Sequence, residues 1–427
     1  MQNRNEYLDT VCKQIHFRAA RKTIRGELEA HIDDRVGEGR SAEEAIEAMG
    51  DAVQTGKALS SIHKPRFEWR VVLCMLLLSA LSTVLSFSMT EYGSYIFPQS
   101  VYGEIIKPML YGLILMTGMY LLKYSLLERL RYVFYGAALF YCALYLITYD
   151  FSYPGGAYGT LLYQTPVIVF STLLFILGLV GLIAYDGKKH TSNFVILIIL
   201  SIASIVIMDV VSSVYALLLA IVYIAVFVAF RFKKRAQFWP QISIYISFIV
   251  ISFALCTLLI HRGFYAFNTD ISSGSSREAQ YLLAKSYFIG QSKYCGWTLD
   301  SSRTSFVITA IIGMYGWLPG LSVAAVCGTM GVLMVIKASR IAHTYGRLLA
   351  VGISVYFLVR FALHFLSNMG LTGGYFSLPF LSFGRFEYIA DAVLMGVFLS
   401  VWRRSTFMKD GAGAKETITK ETTVSAQ

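Results

Sequence analysis

The chain has 427 residues, of which 56% are hydrophobic and only 15% are charged, with a formal net charge of +11. Ordinary soluble domains carry about 25% charged residues. This composition excludes an ordinary soluble enzyme and indicates a membrane protein. The basic excess is explained by the loops between apolar runs, so a nucleic-acid partner is not expected.

Residues 1–66 are polar and predict a small helical domain in the cytoplasm. Ile24, Leu28, Ile32 and Val36 recur every four residues and form one apolar stripe on a predicted helix. The stripe fits either a solvated helical cap with its own small core or a docking surface for a cytoplasmic partner.

A second helical signal follows in the same domain. Ser41 and Glu44 have the spacing of a capping box, and Gly50 suits a helix end. The surrounding segment, Gly39–Asp51, resembles the permease-prefix-type helical domain that precedes some bacterial membrane proteins.

Ten later runs are long and apolar enough for transmembrane helices, which need about 20 residues each. The fifth is short, and the eighth is long enough to be tilted or to extend beyond the bilayer. The predicted fold is therefore all-α: a polytopic membrane domain over residues 67–408, followed by a polar, disordered tail over 409–427. The runs are 70–89, 106–123, 132–149, 166–185, 194–209, 212–231, 241–260, 305–336, 348–366 and 386–402.

Lys and Arg are concentrated in alternate loops, which predicts that both termini are cytoplasmic and that loop 261–304 is outside. Cys295 stands alone in that outside loop, so no intramolecular disulfide is expected there. No cleavable signal peptide is predicted, because the first 65 residues are polar.

Several ionisable residues lie in the spans, toward the outer side in this topology. One interpretation is a polar cavity open to the outside, in which arginines bind the diphosphate of an anionic, lipid-linked substrate. The alternative is internal pairing, such as Arg360 with Glu387 or Asp391. No metal-ligand spacing or phosphate-binding glycine loop is seen, so no metal or cofactor is expected. The residues of this group are Asp209, Arg360, His364, Arg385, Glu387 and Asp391.

Four local motifs resemble the SEDS family of bacterial membrane proteins, to which FtsW, RodA and SpoVE belong. The most specific is Asn368-Met-Gly370 followed by Leu378-Pro-Phe-Leu-Ser382-Phe-Gly384, although Arg385 stands where a second glycine is usual. The others are Arg303-Thr-Ser305-Phe306 with Gly316, similar to H-T-D-F and the glycine that follows; Ile207-Met-Asp209, similar to Q-P-D-L-G; and Tyr163-Gln-Thr-Pro166, similar to F-Q-P-S-E.

The resemblance implies a peptidoglycan glycosyltransferase that polymerises lipid II on the outer face together with a penicillin-binding transpeptidase. In this chain Ser305 occupies the position of the family's aspartate, and a serine hydroxyl is no general base. Asp300, five residues earlier, is the candidate catalytic replacement. The implied substrate-binding residues are Ser305, Asp209, Arg360, His364, Asn368, Ser382 and Arg385.

Three functions stay open. The first is a divergent SEDS-like polymerase acting in cell division, wall elongation or sporulation. The second is a non-catalytic scaffold or regulator of the wall machinery. The third is a transporter or flippase for a lipid-linked precursor, which inverted repeats would favour, although none is clear in the sequence.

Overall fold

A computed structural model describes the chain over residues 3–62, 67–91, 103, 106–148, 157–186, 194–231, 238–263, 274–292, 305–371, 376–382 and 384–405. The described residues form helices joined by turns, with no strand among them. The chain divides into two compact units. One comprises Met1–Phe67 with Trp402–Gln427, and the other, called the membrane unit below, comprises Glu68–Val401. The predicted tail, 409–427, lies outside the described residues.

The first unit contains the helices α1 (Arg4–Gln14), α2 (Arg18–Gly37), α3 (Ala42–Glu47) and α4 (Ala52–Ile62). Their apolar faces form a small core, because a helix with one apolar stripe must bury it against another element. The fully buried side chains include Leu8, Val11 and Ile32.

The predicted stripe on α2 is used mostly by this core. Ile24 and Ile32 are buried, and Leu28 packs against both core clusters. Val36 is 41% exposed and lies at the C-terminal end of the stripe. The stripe therefore has an internal role, which leaves little of it for a docking partner.

Helix α3 begins with the predicted capping box. The Ser41 hydroxyl accepts a hydrogen bond from the Glu44 backbone N–H at 3.2 Å, and the Ser41 N–H donates to the Glu44 carboxylate at 3.0 Å. Gly50 follows α3 with a φ of +78°, a conformation that glycine adopts without steric cost.

Most helices of the membrane unit are more apolar than those of the first unit. Each predicted run overlaps one helix, except the eighth, which overlaps two. The helices are α5 (Trp69–Glu91), α6 (Lys107–Leu121), α7 (Ser125–Arg129), α8 (Arg131–Thr148), α9 (Ala157–Asp186), α10 (Phe194–Val211), α11 (Ser213–Arg231), α12 (Phe238–Gly263), α13 (Gly274–Ala284), α14 (Val307–Tyr315), α15 (Trp317–Ser339), α16 (Thr344–Asn368) and α17 (Arg385–Arg404).

Within the described ranges, five of these helices are long and apolar enough to cross a membrane, and three more have shorter apolar stretches. The five are in α9, α10, α11, α15 and α16. This confirms the predicted all-α, polytopic fold. The protein is a multi-pass membrane protein.

Helices α9 and α16 form the interior of the membrane unit. Of the residues in the apolar stretch, 83% are buried in α9 and 67% in α16, against 33% in α15. Small residues allow close helix contacts, as at Gly178 on α9, where a Cβ atom would lie 2.8 Å from the backbone nitrogen of Tyr135. The outer helices expose their apolar side chains, as expected for surfaces in contact with lipid.

The eighth predicted span is broken at Gly316, between α14 and α15. Gly316 has a φ of +99°, and its N–H donates to the carbonyl of Ile312 at 2.8 Å. The sequence predicted one long or tilted helix here, because hydropathy continues without interruption through a glycine.

Candidate functional site

Polar side chains follow one face of α16 through the middle of the membrane unit. Tyr356, Arg360, His364 and Asn368 are spaced four residues apart and are each at most 2% exposed. This spacing places side chains above one another on a helix. We call these four residues the α16 polar stripe.

Arg360 makes most of the contacts in the N-terminal half of the stripe, including an ion pair with Asp391 of α17. Its Nη1 also donates to the Tyr356 hydroxyl at 2.8 Å, and that hydroxyl lies 3.2 Å from the Asp391 carboxylate. Its Nη2 donates to the Ser377 hydroxyl at 2.5 Å and to the Ser377 carbonyl at 3.1 Å. One guanidinium thus joins α16, α17 and the segment 376–382.

Burial leaves each charge of this pair dependent on its protein partners. Arg360 and Asp391 are each 1% exposed, so neither charge has access to water. The loss of hydration is offset by the mutual attraction and by the surrounding hydrogen bonds. Oδ2 of Asp391 and Nε of Arg360 have no hydrogen-bond partner within the described ranges. Internal pairing, one of the two interpretations of Arg360 left open by the sequence, is what the geometry displays.

The segment that receives Arg360 is a tight turn. The Ser382 hydroxyl accepts the backbone N–H of Leu378 at 2.7 Å, and the Ser382 N–H donates to the Leu378 carbonyl at 2.9 Å. Phe380 within the turn has a φ of +63° and is buried, with its ring stacked on Phe357 at 5.6 Å. A bulky residue in this left-handed region is strained, and the aromatic packing keeps it there.

Asn368 forms the other end of the stripe and holds the start of α14. Its Oδ1 accepts the backbone N–H of Thr309 at 3.1 Å and the Thr309 hydroxyl at 2.8 Å. Its Nδ2 donates to the carbonyls of Ser305 and His364, both at 2.8 Å. The residue before α14, Phe306, offers no side-chain cap. Asn368 therefore acts as an N-cap supplied by another helix.

His364 connects the two halves. Its Nδ1 lies 2.6 Å from the carbonyl oxygen of Phe376, which can only accept, so Nδ1 carries the hydrogen. Its Nε2 lies 3.4 Å from the Nδ2 of Asn368, whose two hydrogens point to the carbonyls of Ser305 and His364. The predicted residues Arg360, His364 and Asn368 are thus brought together in one network, and Ser382 braces the turn that this network contacts.

Other predicted residues lie elsewhere or outside the described residues. Ser305 is 6% exposed, and its carbonyl accepts a hydrogen bond from Asn368 of the network. Asp209 is buried on α10, whereas the ion pair of Arg360 is with Asp391 of α17. Arg385 is exposed at the first turn of α17. Asp300 lies outside the described residues.

Tyr356, Ser377 and Thr309 were not predicted as site residues. A signal for Tyr356 exists in the sequence, since it continues the four-residue spacing of Arg360, His364 and Asn368 toward the N-terminus. No such spacing marks Ser377 and Thr309, which enter the network through tertiary contacts. The described residues contain no group of three or more His, Cys, Asp or Glu side chains suited to a metal ion.

Comparison with solved structures identifies the architecture. A chain of a peptidoglycan synthase complex, studied for the coordination of polymerization and crosslinking, aligns with a TM-score of 0.59 and 16% identity, covering 79% of this chain and 98% of the other. The Rod shape determining protein RodA of Thermus thermophilus aligns with a TM-score of 0.54 and 16% identity, over 79% and 97% of the two chains. The chain has the RodA fold.

An aspartate-to-alanine variant of the Thermus thermophilus RodA aligns equally well, with a TM-score of 0.54 and 17% identity over 79% of this chain and 98% of the variant. The likeness to the SEDS family expected from the motifs is therefore confirmed at the level of the fold. The HAAS family model matches residues 6–57, within the predicted N-terminal helical domain. Comparison with curated protein sequences finds no significant match.

Proposed function

We propose that this protein acts in bacterial cell-wall synthesis as a divergent SEDS-like protein that binds lipid II, or another undecaprenyl-linked precursor, on the outer face of the membrane. The observation that carries the proposal is the RodA fold, which extends over 98% of the first aligned chain. The α16 polar stripe supports it, because buried polar residues in a membrane bundle are costly and usually serve a function.

In this proposal the stripe supports the site and the substrate lies beside it. Arg360 is satisfied by Asp391, Tyr356 and Ser377, so a diphosphate would have to displace these partners. Arg385 is exposed at the N-terminal turn of α17, where the helix dipole also favours an anion. It is the better candidate for contact with the diphosphate, and Asp209, Ser305 and Ser382 remain proposed binding residues.

A second candidate function is a non-catalytic scaffold or regulator. The observation that favours it is Ser305, which stands at the position of the family's aspartate and is 6% exposed. A serine hydroxyl cannot accept the proton of an attacking sugar hydroxyl at neutral pH. If polymerisation takes place, Asp300 is the proposed replacement, and activity would be low.

Elongation of labelled lipid II by the purified full chain tests these functions. The chains to compare are wild type, Asp300→Ala, Ser305→Asp and the matched control Ser305→Asn, which has the same shape as the aspartate without its charge. A positioned general base contributes about 10²–10⁴-fold in rate. We expect low wild-type activity, less in Asp300→Ala, and a gain in Ser305→Asp but not in Ser305→Asn.

The outcomes separate the candidates. Robust wild-type activity that Asp300→Ala leaves unchanged would contradict this account of the chemistry. No activity in any chain, alongside measurable lipid II binding, would favour the scaffold. If the chain binds neither lipid II nor another undecaprenyl-linked precursor, the proposal is wrong.

We also propose a penicillin-binding transpeptidase as partner and a cytoplasmic partner for the N-terminal domain. A cytoplasmic partner for the N-terminal domain requires the proposed orientation, in which both termini are inside and Cys295 is outside. Labelling with a membrane-impermeant maleimide on intact cells should modify Cys295. Labelling only after the membrane is opened would overturn this orientation.

A further inference from the structure

A short segment after α13 presents three large apolar side chains away from the protein. Tyr287, Phe288 and Ile289 are 49%, 63% and 67% exposed. We call residues 287–289 the aromatic tip. Three consecutive exposed apolar residues in a turn are unfavourable in water and indicate a contact surface.

The tip is held rigidly at the break between α14 and α15. The N–H groups of Trp317 and Leu318 donate to the carbonyls of Tyr287 and Phe288, both at 3.0 Å. In return, the N–H of Gly290 donates to the carbonyl of Tyr315 at 3.0 Å. These are the backbone groups that a helix end leaves without partners. The segment therefore satisfies backbone groups at the end of α14 and at the start of α15.

Gly316 makes this close contact feasible. A Cβ atom at Gly316 would lie 2.7 Å from the carbonyl oxygen of Phe288 and 2.8 Å from the Cα atom of Ile289. Any larger residue would push the tip away. The path of the chain at the tip is thus fixed by backbone geometry and does not depend on the side chains of the tip.

The same hydrogen bonds fix the depth of the tip. Helix α15 is a candidate membrane span that begins at Trp317, and in the proposal made below its first residues lie at one boundary of the apolar layer. Tyr287 and Phe288 are bonded to those first residues and lie at the same level. Tyrosine is enriched at this level, where the ring is in contact with lipid and the hydroxyl reaches the interface.

The surface of α15 next to the tip is also apolar. Leu318 and Leu321, in its first turns, are 43% and 52% exposed. Only 33% of the apolar stretch of α15 is buried, so this helix faces lipid over much of its length. The exposed side chains of the tip therefore continue a lipid-facing surface.

We propose that the aromatic tip is an interfacial anchor that inserts Phe288 and Ile289 into the leaflet beside the start of α15. Its occupant is phospholipid. Through Gly290 and Gly316 the anchor fixes the level of the break in the membrane. Through α14 it fixes the level of Ser305 and Thr309, which Asn368 holds from the other side.

Photo-cross-linking of the full chain in native membranes tests the anchor. A benzophenone amino acid is placed at Phe288 or Ile289, and adducts are identified by mass spectrometry. Phe140 on α8, an aromatic residue that is 68% exposed on an apolar helix, is the positive control. Val36, exposed in the N-terminal unit, is the negative control. We expect phospholipid adducts at 288 and 289 with a yield comparable to that at 140, and none at 36.

Two results would overturn the proposal. Adducts at 288 and 289 that consist of protein rather than phospholipid would make the tip a docking surface for another chain. Phospholipid adducts at 140 without any at 288 and 289 would show that the tip lies in water. Neither result depends on lipid II binding or elongation, so the anchor and the proposed function fail independently.

Discussion

The two units of this chain contain the same kind of ion pair in opposite surroundings. In the N-terminal unit Arg25 pairs with Asp9 and Glu29, with all three side chains between 36% and 55% exposed. In the membrane unit the Arg360–Asp391 pair is 1% exposed on both sides. Water hydrates the charges of the first pair whether or not they meet, whereas the second pair has only its protein partners. Surroundings, rather than distance or residue type, decide what each pair contributes.

Apolar residues also differ in exposure between the two units, in the opposite sense to the charged residues. The N-terminal unit buries Leu8, Val11 and Ile32 completely. The membrane unit exposes Phe140 and Ile147 at 68% and 82%. Hydrophobic burial therefore stabilises the first unit, while close packing and polar contacts stabilise the second. The effect of a polar substitution on stability should therefore differ between the interiors of the two units.

The largest expected effect comes from separating the buried pair. Arg360→Met leaves the Asp391 carboxylate without its cation in an apolar interior, and we expect a loss of about 3–5 kcal/mol. The double variant Arg360→Met with Asp391→Leu removes both charges and should recover most of that loss. Thermal unfolding of the purified chain in detergent measures this, with retained monodisperse protein as the criterion. A double variant as unstable as Arg360→Met would show that hydrogen bonds to Ser377 and Tyr356, rather than the charge, are responsible.

The sequence predicted which regions form helices more completely than it predicted the site. Apolar runs located the membrane helices, and the spacing of Ser41 and Glu44 located the start of α3. The break at Gly316 was missed, because the backbone groups that stabilise it belong to Tyr287, Phe288 and Gly290, more than twenty residues away. Local hydropathy contains no information about such partners.

The same limit applies within the site. Arg360, His364 and Asn368 could be predicted as polar residues in a span, and pairing of Arg360 with Asp391 was one of two interpretations. Which partner it selects is fixed by the packing of α16 against α17, not by spacing along one helix. The cap that Asn368 supplies to α14 could not be predicted, because it joins residues 59 positions apart.

The second expected effect concerns that cap. Asn368→Ala leaves the Thr309 N–H and the Ser305 carbonyl without their partner, and an unsatisfied buried group costs about 1–3 kcal/mol. Hydrogen exchange of residues 305–315 should become faster. Asn5→Ala, at an exposed position of α1, is the matched control and should leave this exchange unchanged. Unaltered exchange at 305–315 in Asn368→Ala would mean that the packing of α14 alone holds its first turn.

A smaller effect is expected in the N-terminal unit at the capping box. Ser41→Ala removes one partner of the first turn of α3, where capping residues contribute about 1 kcal/mol. Exchange should accelerate over residues 42–50 and stay the same in the membrane helices. Ser61→Ala serves as control, because the Ser61 hydroxyl donates to the Ala58 carbonyl of its own helix. Faster exchange after Ser61→Ala as well would point to general loosening of the unit.

The smallest expected effect is Arg25→Gln, the exposed counterpart of Arg360→Met. The thermal midpoint should change less than after Ser41→Ala, because Asp9 and Glu29 stay hydrated when the guanidinium is removed. Hydrogen bonds to Glu29 and Asp9 raise the pKa of Arg25 above its already high ordinary value. The group therefore stays charged in neutral and mildly alkaline solution, and the small difference between wild type and variant should not depend on pH there. It should shrink as salt screens the pair. If Arg25→Gln instead destabilised the chain as much as Arg360→Met, with no dependence on salt, exposure to water could not be what distinguishes the two pairs.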